Sequence, residues 1–333
     1  MKHAVVVPGV FPLEGGGTLR DVKVEVRTWG RFRKEATLIC HALTGGADAD
    51  DWWRNLFGTG SLFDPGKSYI VSMNVLGSRY GTTGPSSHHG AEEFPEVTIR
   101  DMVHLQKAVL DQLGVKYLDL VIGGSMGGMQ ALEWAVMYPK FVDTIVPIGV
   151  GSSQSAWAIA LSETQRAAIR TAATPEDGLA TARTIAMISY RSHANLQSRF
   201  GREESDGGFA VQSYLQYQGQ KLVDRFDADT YLTLLGAMDS HDLGRDRGPR
   251  EAVLNRITNR ALVIGISSDV LYPVNETRQM ASAMPNARFA VLDSPYGHDA
   301  FLTETHKIER AVKDFLKRKR RVVAVPSLGA AWA

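Results

Sequence analysis

Cysteine is almost missing from this chain of 333 residues, with Cys40 its single representative. One thiol excludes an internal disulfide and any metal centre built from cysteines. Cys40 ends the apolar run Thr37-Leu-Ile-Cys and reads as a core residue rather than a nucleophile. An excess of charge of either sign is missing too. The formal net charge is +1, which removes the electrostatic case for a nucleic acid or an acidic partner. No run approaches the ~18 apolar residues of a membrane-spanning helix. The apolar part of Met1-Lys-His-Ala-Val-Val-Val-Pro is too short for a secretion signal. A soluble cytoplasmic protein is the expectation. Internal repeats and low-complexity segments are also lacking. What remains, 44% hydrophobic and 22% charged, is an ordinary globular composition. Length alone does not choose between one large core and two domains.

Strand-like runs recur at 22–28, 36–40, 69–73, 118–122, 144–148, 261–266 and 289–292. The first alternates and reads as a half-exposed antiparallel strand. Most later ones are short continuous apolar runs, as expected of strands covered on both faces. Between them the spacing predicts helices. That over 101–113 carries Met102, Leu105, Val109 and Leu113 on one face and stops at Gly114. Such alternation implies an α/β fold with a mostly parallel central sheet. From 152 to 256 no convincing strand occurs, and helical stretches fill 156–169, 178–190, 210–223 and 228–235. These predict a helical lid at 152–256, inserted between two parts of the core, 1–151 and 257–333. A last helix over 307–320 turns Ile308, Val312, Phe315 and Leu316 inward. Its tail, Lys317-Arg-Lys-Arg-Arg321, reads as a solvated helix end.

The stretch Val121-Ile-Gly-Gly-Ser-Met-Gly-Gly-Met-Gln130 sets Ser125 between two glycine pairs. Apolar residues before it read as a strand and helix formers follow it, up to Tyr138-Pro139. Gly123, Ser125 and Gly127 fit G-x-S-x-G, the nucleophile elbow of an α/β-hydrolase. The tight bend strains the serine, requires slim neighbours, and aims the hydroxyl at a helix N-terminus that favours negative charge.

A serine hydroxyl needs a base, and the base needs an orienting acid. In this fold the chain order is serine, acid, histidine. Asp269 lies in the loop after the run 261–266, and His298 in the loop after 289–292. Both therefore fall past the ends of late strands, where open α/β sheets place their sites. His3 is terminal, His88 and His89 follow a small-residue loop, and His104 lies mid-helix. His193 and His241 fall in the lid, and His306 begins the last helix. His41-Ala-Leu-Thr-Gly-Gly46 follows the strand ending at Cys40, where this fold supplies its second oxyanion donor. That predicts the backbone N–H groups of Leu43 and Met126 as the oxyanion hole. His41 is expected to hold that loop rather than act as a base.

Six segments together resemble the homoserine O-acetyltransferase family. They are His41-Ala-Leu-Thr-Gly45, Asn74-Val-Leu-Gly-Ser, Gly81-Thr-Thr-Gly-Pro-Ser86, Phe94-Pro-Glu-Val-Thr-Ile-Arg-Asp-Met102, Gly123-Gly-Ser-Met-Gly-Gly-Met-Gln130 and Gly297-His-Asp-Ala-Phe-Leu302. The resemblance runs from about Phe11 to Phe315. It implies a ping-pong acyl transfer in which Ser125, His298 and Asp269 are catalytic. Acetyl-CoA is the co-substrate, with no permanently bound cofactor and no metal. L-homoserine is the acceptor, and the product, O-acetyl-L-homoserine, is a methionine precursor. The resemblance further implies that Arg183, in Gly178-Leu-Ala-Thr-Ala-Arg183, binds the substrate carboxylate and that Asp299 pairs with its ammonium. Asp299 also stands where a helix N-cap would, before Ala300-Phe-Leu. A homodimer built through lid helices is the family's expectation. Two segments depart from the pattern. Only seven residues, Thr-Ala-Ala-Thr-Pro-Glu-Asp, separate Arg170 from Gly178, and Ala47-Asp-Ala-Asp-Asp-Trp-Trp53 is atypical.

Other readings share these residues. An esterase or thioesterase needs the same triad without an amino-acid clamp. A silent binding protein has no use for all three triad residues. A succinyl donor would need a buried cation, for which Arg79 is the candidate. A serine acceptor differs from homoserine by one methylene, worth only ~1–3 kcal/mol in an apolar pocket.

Overall fold

The structure is a computed structural model that describes residues 1–87, 93–205 and 207–317. His88, His89 and the basic tail after Lys317 lie outside the described residues.

Ten strands occur among them: β1 (Lys2–Pro12), β2 (Thr18–Trp29), β3 (Glu35–Cys40), β4 (Ile70–Met73), β5 (Tyr117–Gly124), β6 (Val142–Ile148), β7 (Glu204–Ser205), β8 (Gly208–Phe209), β9 (Arg260–Ile266) and β10 (Ala287–Leu292). Eight form one sheet in the order β1-β2-β4-β3-β5-β6-β9-β10. The β1–β2 and β2–β4 pairs are antiparallel, and the pairs from β4 through β10 are parallel. Along β3 and β5 alternate residues serve two separate clusters. Leu38 and Val121 join one, and Ile39, Leu120 and Ile122 join the other. Period-two alternation puts these clusters on opposite faces of the sheet, which is why the runs are continuously apolar.

The strand β1 is a correction to the sequence pattern, whose first strand-like run is 22–28. Val5-Val6-Val7 is broken by Pro8-Gly9, where the register with β2 shifts between Val7 and Val10. An edge strand tolerates a proline at such an irregularity, which hides the strand from a periodicity search.

Helices cover the sheet and form the insertion: α1 (Ala49–Trp52), α2 (Ile99–Gln112), α3 (Met126–Met137), α4 (Ala156–Thr171), α5 (Pro175–Tyr190), α6 (His193–Phe200), α7 (Ala210–Val223), α8 (Ala228–Asp239), α9 (Arg250–Asn255), α10 (Val274–Ser282), α11 (Ala300–Thr303) and α12 (Thr305–Lys317). The helix expected over 101–113 starts earlier, because Thr98 and Asp101 form a capping box ahead of it. The segment between β6 and β9 is helical except for the two-residue pair β7/β8, a strand element the pattern did not show. Its entry and exit are joined by backbone. Gln154 N–H donates to the His241 carbonyl at 2.8 Å and Leu243 N–H to that of Ser152 at 3.0 Å. Arg100 of α2 then anchors the exit, donating to the carbonyls of Asp242 (3.0 Å) and Arg245 (2.7 Å).

Candidate active site

Ser125 joins β5 to α3 with φ +57° and ψ −127°. This left-handed conformation is rare for a residue with a side chain and costs about 1–3 kcal/mol. Its N–H donates to the Ile148 carbonyl at 2.9 Å, and its own carbonyl takes the N–H groups of Gly128 and Met129. The bend brings Gly127 so close to β3 that a Cβ there would sit 2.2 Å from the Cys40 carbonyl oxygen. No residue larger than glycine fits. Ser125 is only 6% exposed.

The strand beside the elbow leads to the other two residues. Ile148 ends β6, and the next residue, Gly149, lies against both Asp269 and His298. A Cβ at Gly149 would be 3.3 Å from Asp269 Oδ2 and 3.4 Å from His298 Nδ1. His298 Nδ1 and Asp269 Oδ2 are 2.7 Å apart. Asp269 Oδ1 accepts the N–H groups of Leu271 and Tyr272, each at 2.9 Å, so the carboxylate is anchored at both oxygens. An ionised Asp269 places the proton of a neutral His298 on Nδ1 and leaves Nε2 as an acceptor. Nε2 is buried and finds no hydrogen-bond partner among the described residues. Burial pulls the His298 pKa down, but the charge and hydrogen bond of Asp269, aided by Asp299, carry it above the ordinary histidine value. The rings of Tyr190, Tyr272 and Phe301 surround the imidazole at 5.7, 5.3 and 5.4 Å between centroids.

The N–H groups of Met126 and Leu43 have no acceptor among the described residues. Met126 is the first residue of α3, where such orphans are expected. The Leu43 loop is held by His41. Its Nδ1–H donates to the Ala42 carbonyl at 2.8 Å and its Nε2 accepts the Val75 N–H at 3.0 Å. Burial drives the His41 pKa down to about 4, so it stays neutral as a brace. Gln130 of α3 ties the His41 carbonyl to the elbow, donating to it and to the Met126 carbonyl at 3.2 Å each. From the helical insertion Arg225 braces the same loop, reaching the Thr44 carbonyl at 2.7 Å. Burial pushes the Cys40 thiol pKa up, as suits a core residue.

Charge of both signs stands beside His298. Asp299 follows it in sequence and is largely buried. It occupies the N-cap position of α11 but makes no side-chain cap bond, so the capping role does not hold. Its partner is Arg191, whose Nη2 lies 3.2 Å from Asp299 Oδ2. Arg183, on α5, stacks its guanidinium 5.6 Å from the Tyr190 ring centre and acts on Asp299 electrostatically. Its Nε is buried without a partner among the described residues. Burial raises the Asp299 pKa above the usual carboxylate range, although Arg191, Arg183 and His298 all oppose it. Sequence reasoning missed Arg191 and Tyr190, which stand at the end of α5 with no motif to mark them. Arg79, the candidate cation for a succinyl donor, is not buried. Its side chain is 43% exposed and pairs with Asp227 of the insertion at 3.4 Å. Among the described residues no group of three metal-ligating side chains is found.

A family model for the α/β-hydrolase fold matches residues 36–305. A homoserine O-acetyltransferase of Chlorobium chlorochromatii (strain CaD3) is 48% identical over 332 residues, covering 92% of this chain and 93% of that protein. The crystal structure of a homoserine O-acetyltransferase from Staphylococcus aureus superposes with a TM-score of 0.85 at 28% identity, over 96% of each chain. An acetylester hydrolase from Corynebacterium glutamicum reaches a TM-score of 0.83 at 23% identity, over 96% of each chain, a likeness of fold alone.

Proposed function

The chain belongs to the homoserine O-acetyltransferase family of α/β-hydrolase proteins, and from that premise we propose a two-step acetyl transfer through Ser125. Ser125 Oγ attacks the thioester carbonyl carbon of acetyl-CoA while His298 Nε2 takes its proton. Asp269 holds the Nδ1–H and stabilises the imidazolium. The N–H groups of Leu43 and Met126 receive the oxyanion. The intermediate collapses, and the CoA sulfur leaves with the proton from His298. The hydroxyl of L-homoserine then gives its proton to His298 and attacks the acetyl carbon, releasing O-acetyl-L-homoserine and free Ser125.

The observation that carries this reading is the buried His298–Asp269 pair at 2.7 Å, with Nε2 open, packed on Gly149 at the end of the strand that neighbours the strained Ser125 elbow. Arg183 and Asp299 supply opposite charges for the carboxylate and ammonium of an amino-acid acceptor. A plain esterase has no need of such a clamp. The exposed pair Arg79–Asp227 favours acetyl over succinyl, since it offers no desolvated cation to a second carboxylate. Four large apolar side chains, Trp157, Ile159, Ile188 and Tyr217, are exposed on α4, α5 and α7. They support a homodimer built through these helices.

A matrix of acyl-CoA donors against hydroxy-amino-acid acceptors, read by product mass, tests the reaction. Acetyl-CoA with L-homoserine should dominate. CoA release at the same rate with and without acceptor defeats the proposal.

A further inference from the structure

We propose that Arg191 is the positioning residue for the acceptor's amine: it holds the Asp299 carboxylate in place, as an anion, ready for the ammonium group. This rests on the acyl-transfer reading above and assigns a task to a residue that reading leaves unused.

The geometry is specific. Arg191 is the only described residue within ion-pair distance of Asp299. None of the described residues donates a hydrogen bond to that carboxylate, so its orientation depends on Arg191. Both side chains are mostly shielded, at 16% and 14% exposure, where an ion pair is weakly screened. The backbone around Arg191 is clamped independently of its side chain. Ser192 Oγ donates to the Pro295 carbonyl. Gly297 packs so tightly that a Cβ there would meet the Arg191 carbonyl carbon and Ser192 nitrogen at 2.7 Å. The helical insertion therefore delivers the guanidinium to the loop that carries His298 and Asp299.

Charge bookkeeping gives the role its logic. Arg183, Arg191, Asp269 and Asp299 sum to zero with His298 neutral. A zwitterion enters without changing that sum. Remove Arg191, and one carboxylate in a buried site loses its counter-ion. The groups facing Asp299 are then Arg183 and Tyr190 from the insertion, and His298 and Asp269 from the core. Burial already favours its neutral form, and Asp269 adds to that. A protonated Asp299 cannot pair with an ammonium.

The test uses the full chain and follows two half-reactions separately. Acylation is read as the p-nitrophenol burst from p-nitrophenyl acetate. Transfer is read as KM and kcat for L-homoserine with acetyl-CoA, from about pH 6 to about pH 9. In Arg191→Gln the homoserine KM should rise roughly tenfold or more at low pH, with the defect shrinking as pH rises and Asp299 ionises. The burst rate should stay within about twofold of wild type. Arg191→Lys, which keeps the charge, should recover most of the affinity. An unchanged homoserine KM overturns the proposal, as does a pH-independent defect matched by an equal loss of the burst. A wild-type protein with a burst but no homoserine-dependent product defeats the transfer reading instead. A second measurement then still decides: the infrared C=O band of a protonated carboxyl that is lost in Asp299→Asn. Its pH midpoint should move upward in Arg191→Gln, and identical midpoints overturn the proposal. Arg191→Met, of similar length, replaces Arg191→Gln if the glutamine variant does not fold.

Discussion

Ser125 is held in a conformation that costs energy before any substrate arrives. Its φ of +57° is one that glycine adopts freely. Ser125→Gly should therefore stabilise the protein by about 1 kcal/mol in denaturant unfolding, while lowering acetyl transfer at least ~10³-fold. A variant that loses stability contradicts the idea that the elbow is strained for function. Asp269→Asn should be folded but slowed by ~10⁴ in kcat. The Leu271 and Tyr272 N–H groups would keep the amide oxygen, turning its NH₂ toward His298 Nδ1. That forces the ring proton onto Nε2, where it blocks the base. The raised pKa of His298 gives the pH sign. The base must be neutral, so kcat/KM for acylation should fall as pH drops through a midpoint above the ordinary ~6.5 of histidine. The places of Ser125, Asp269 and His298 in the fold were legible in the sequence because each follows a recognisable apolar strand run. Arg191 was not, because an arginine ending an amphipathic helix reads the same whether it meets solvent or a carboxylate from a distant loop.

At the scale of elements, the joint between β5 and α3 depends on close backbone approach. Gly127→Ala puts a methyl 2.2 Å from the Cys40 carbonyl, which α3 can escape only by lifting off β3. A loss of about 3 kcal/mol or more in unfolding free energy is expected, together with loss of acylation. A second joint is ionic. Glu133 of α3, 1% exposed, pairs with Arg100 of α2 at 3.3 Å and with Arg247, near the exit of the insertion, at 2.8 Å. Burial raises its pKa against the pull of Arg247 and Arg100. Truncating it leaves Arg247 without its carboxylate, while Arg100 keeps Glu14 at 2.6 Å; Glu133→Ala should report this by a cost of about 3 kcal/mol in unfolding free energy. The parallel strands were readable because burial on both faces makes them continuously apolar. The edge strand β1 and the β7/β8 pair were not. One is interrupted at Pro8-Gly9, and the other is two residues long on each side.

At the scale of the whole molecule, two buried histidines among the described residues, His41 and His241, each have a pKa driven down to about 4 by burial. Unfolded, both titrate near ~6.5. Their contribution is thus in place above pH ~6.5 and is lost as pH falls toward 4, at about 2 kcal/mol each by pH ~5. His298 acts in the opposite sense, its contribution present at low pH and lost as pH rises through its raised value. Buried carboxylates with raised pKa values, Asp299 and Glu133 among them, act in the same sense as His298, so the histidine share is read by difference: in denaturant unfolding His241→Asn should lose less stability than wild type between neutral and mildly acidic pH. The α/β architecture was readable from alternating strand and helix patterns, and the site from where those strands end. The meeting of insertion and core at Asp299 was not, because it depends on tertiary packing between segments far apart in the chain. The most direct measurement is the mass of the Ser125 peptide after rapid mixing with acetyl-CoA and quenching, with and without L-homoserine. The account predicts acetylated Ser125 without acceptor, and its disappearance with stoichiometric O-acetyl-L-homoserine when acceptor is added. An unmodified Ser125, or an acetyl group lost to water at the same rate in both samples, would contradict it.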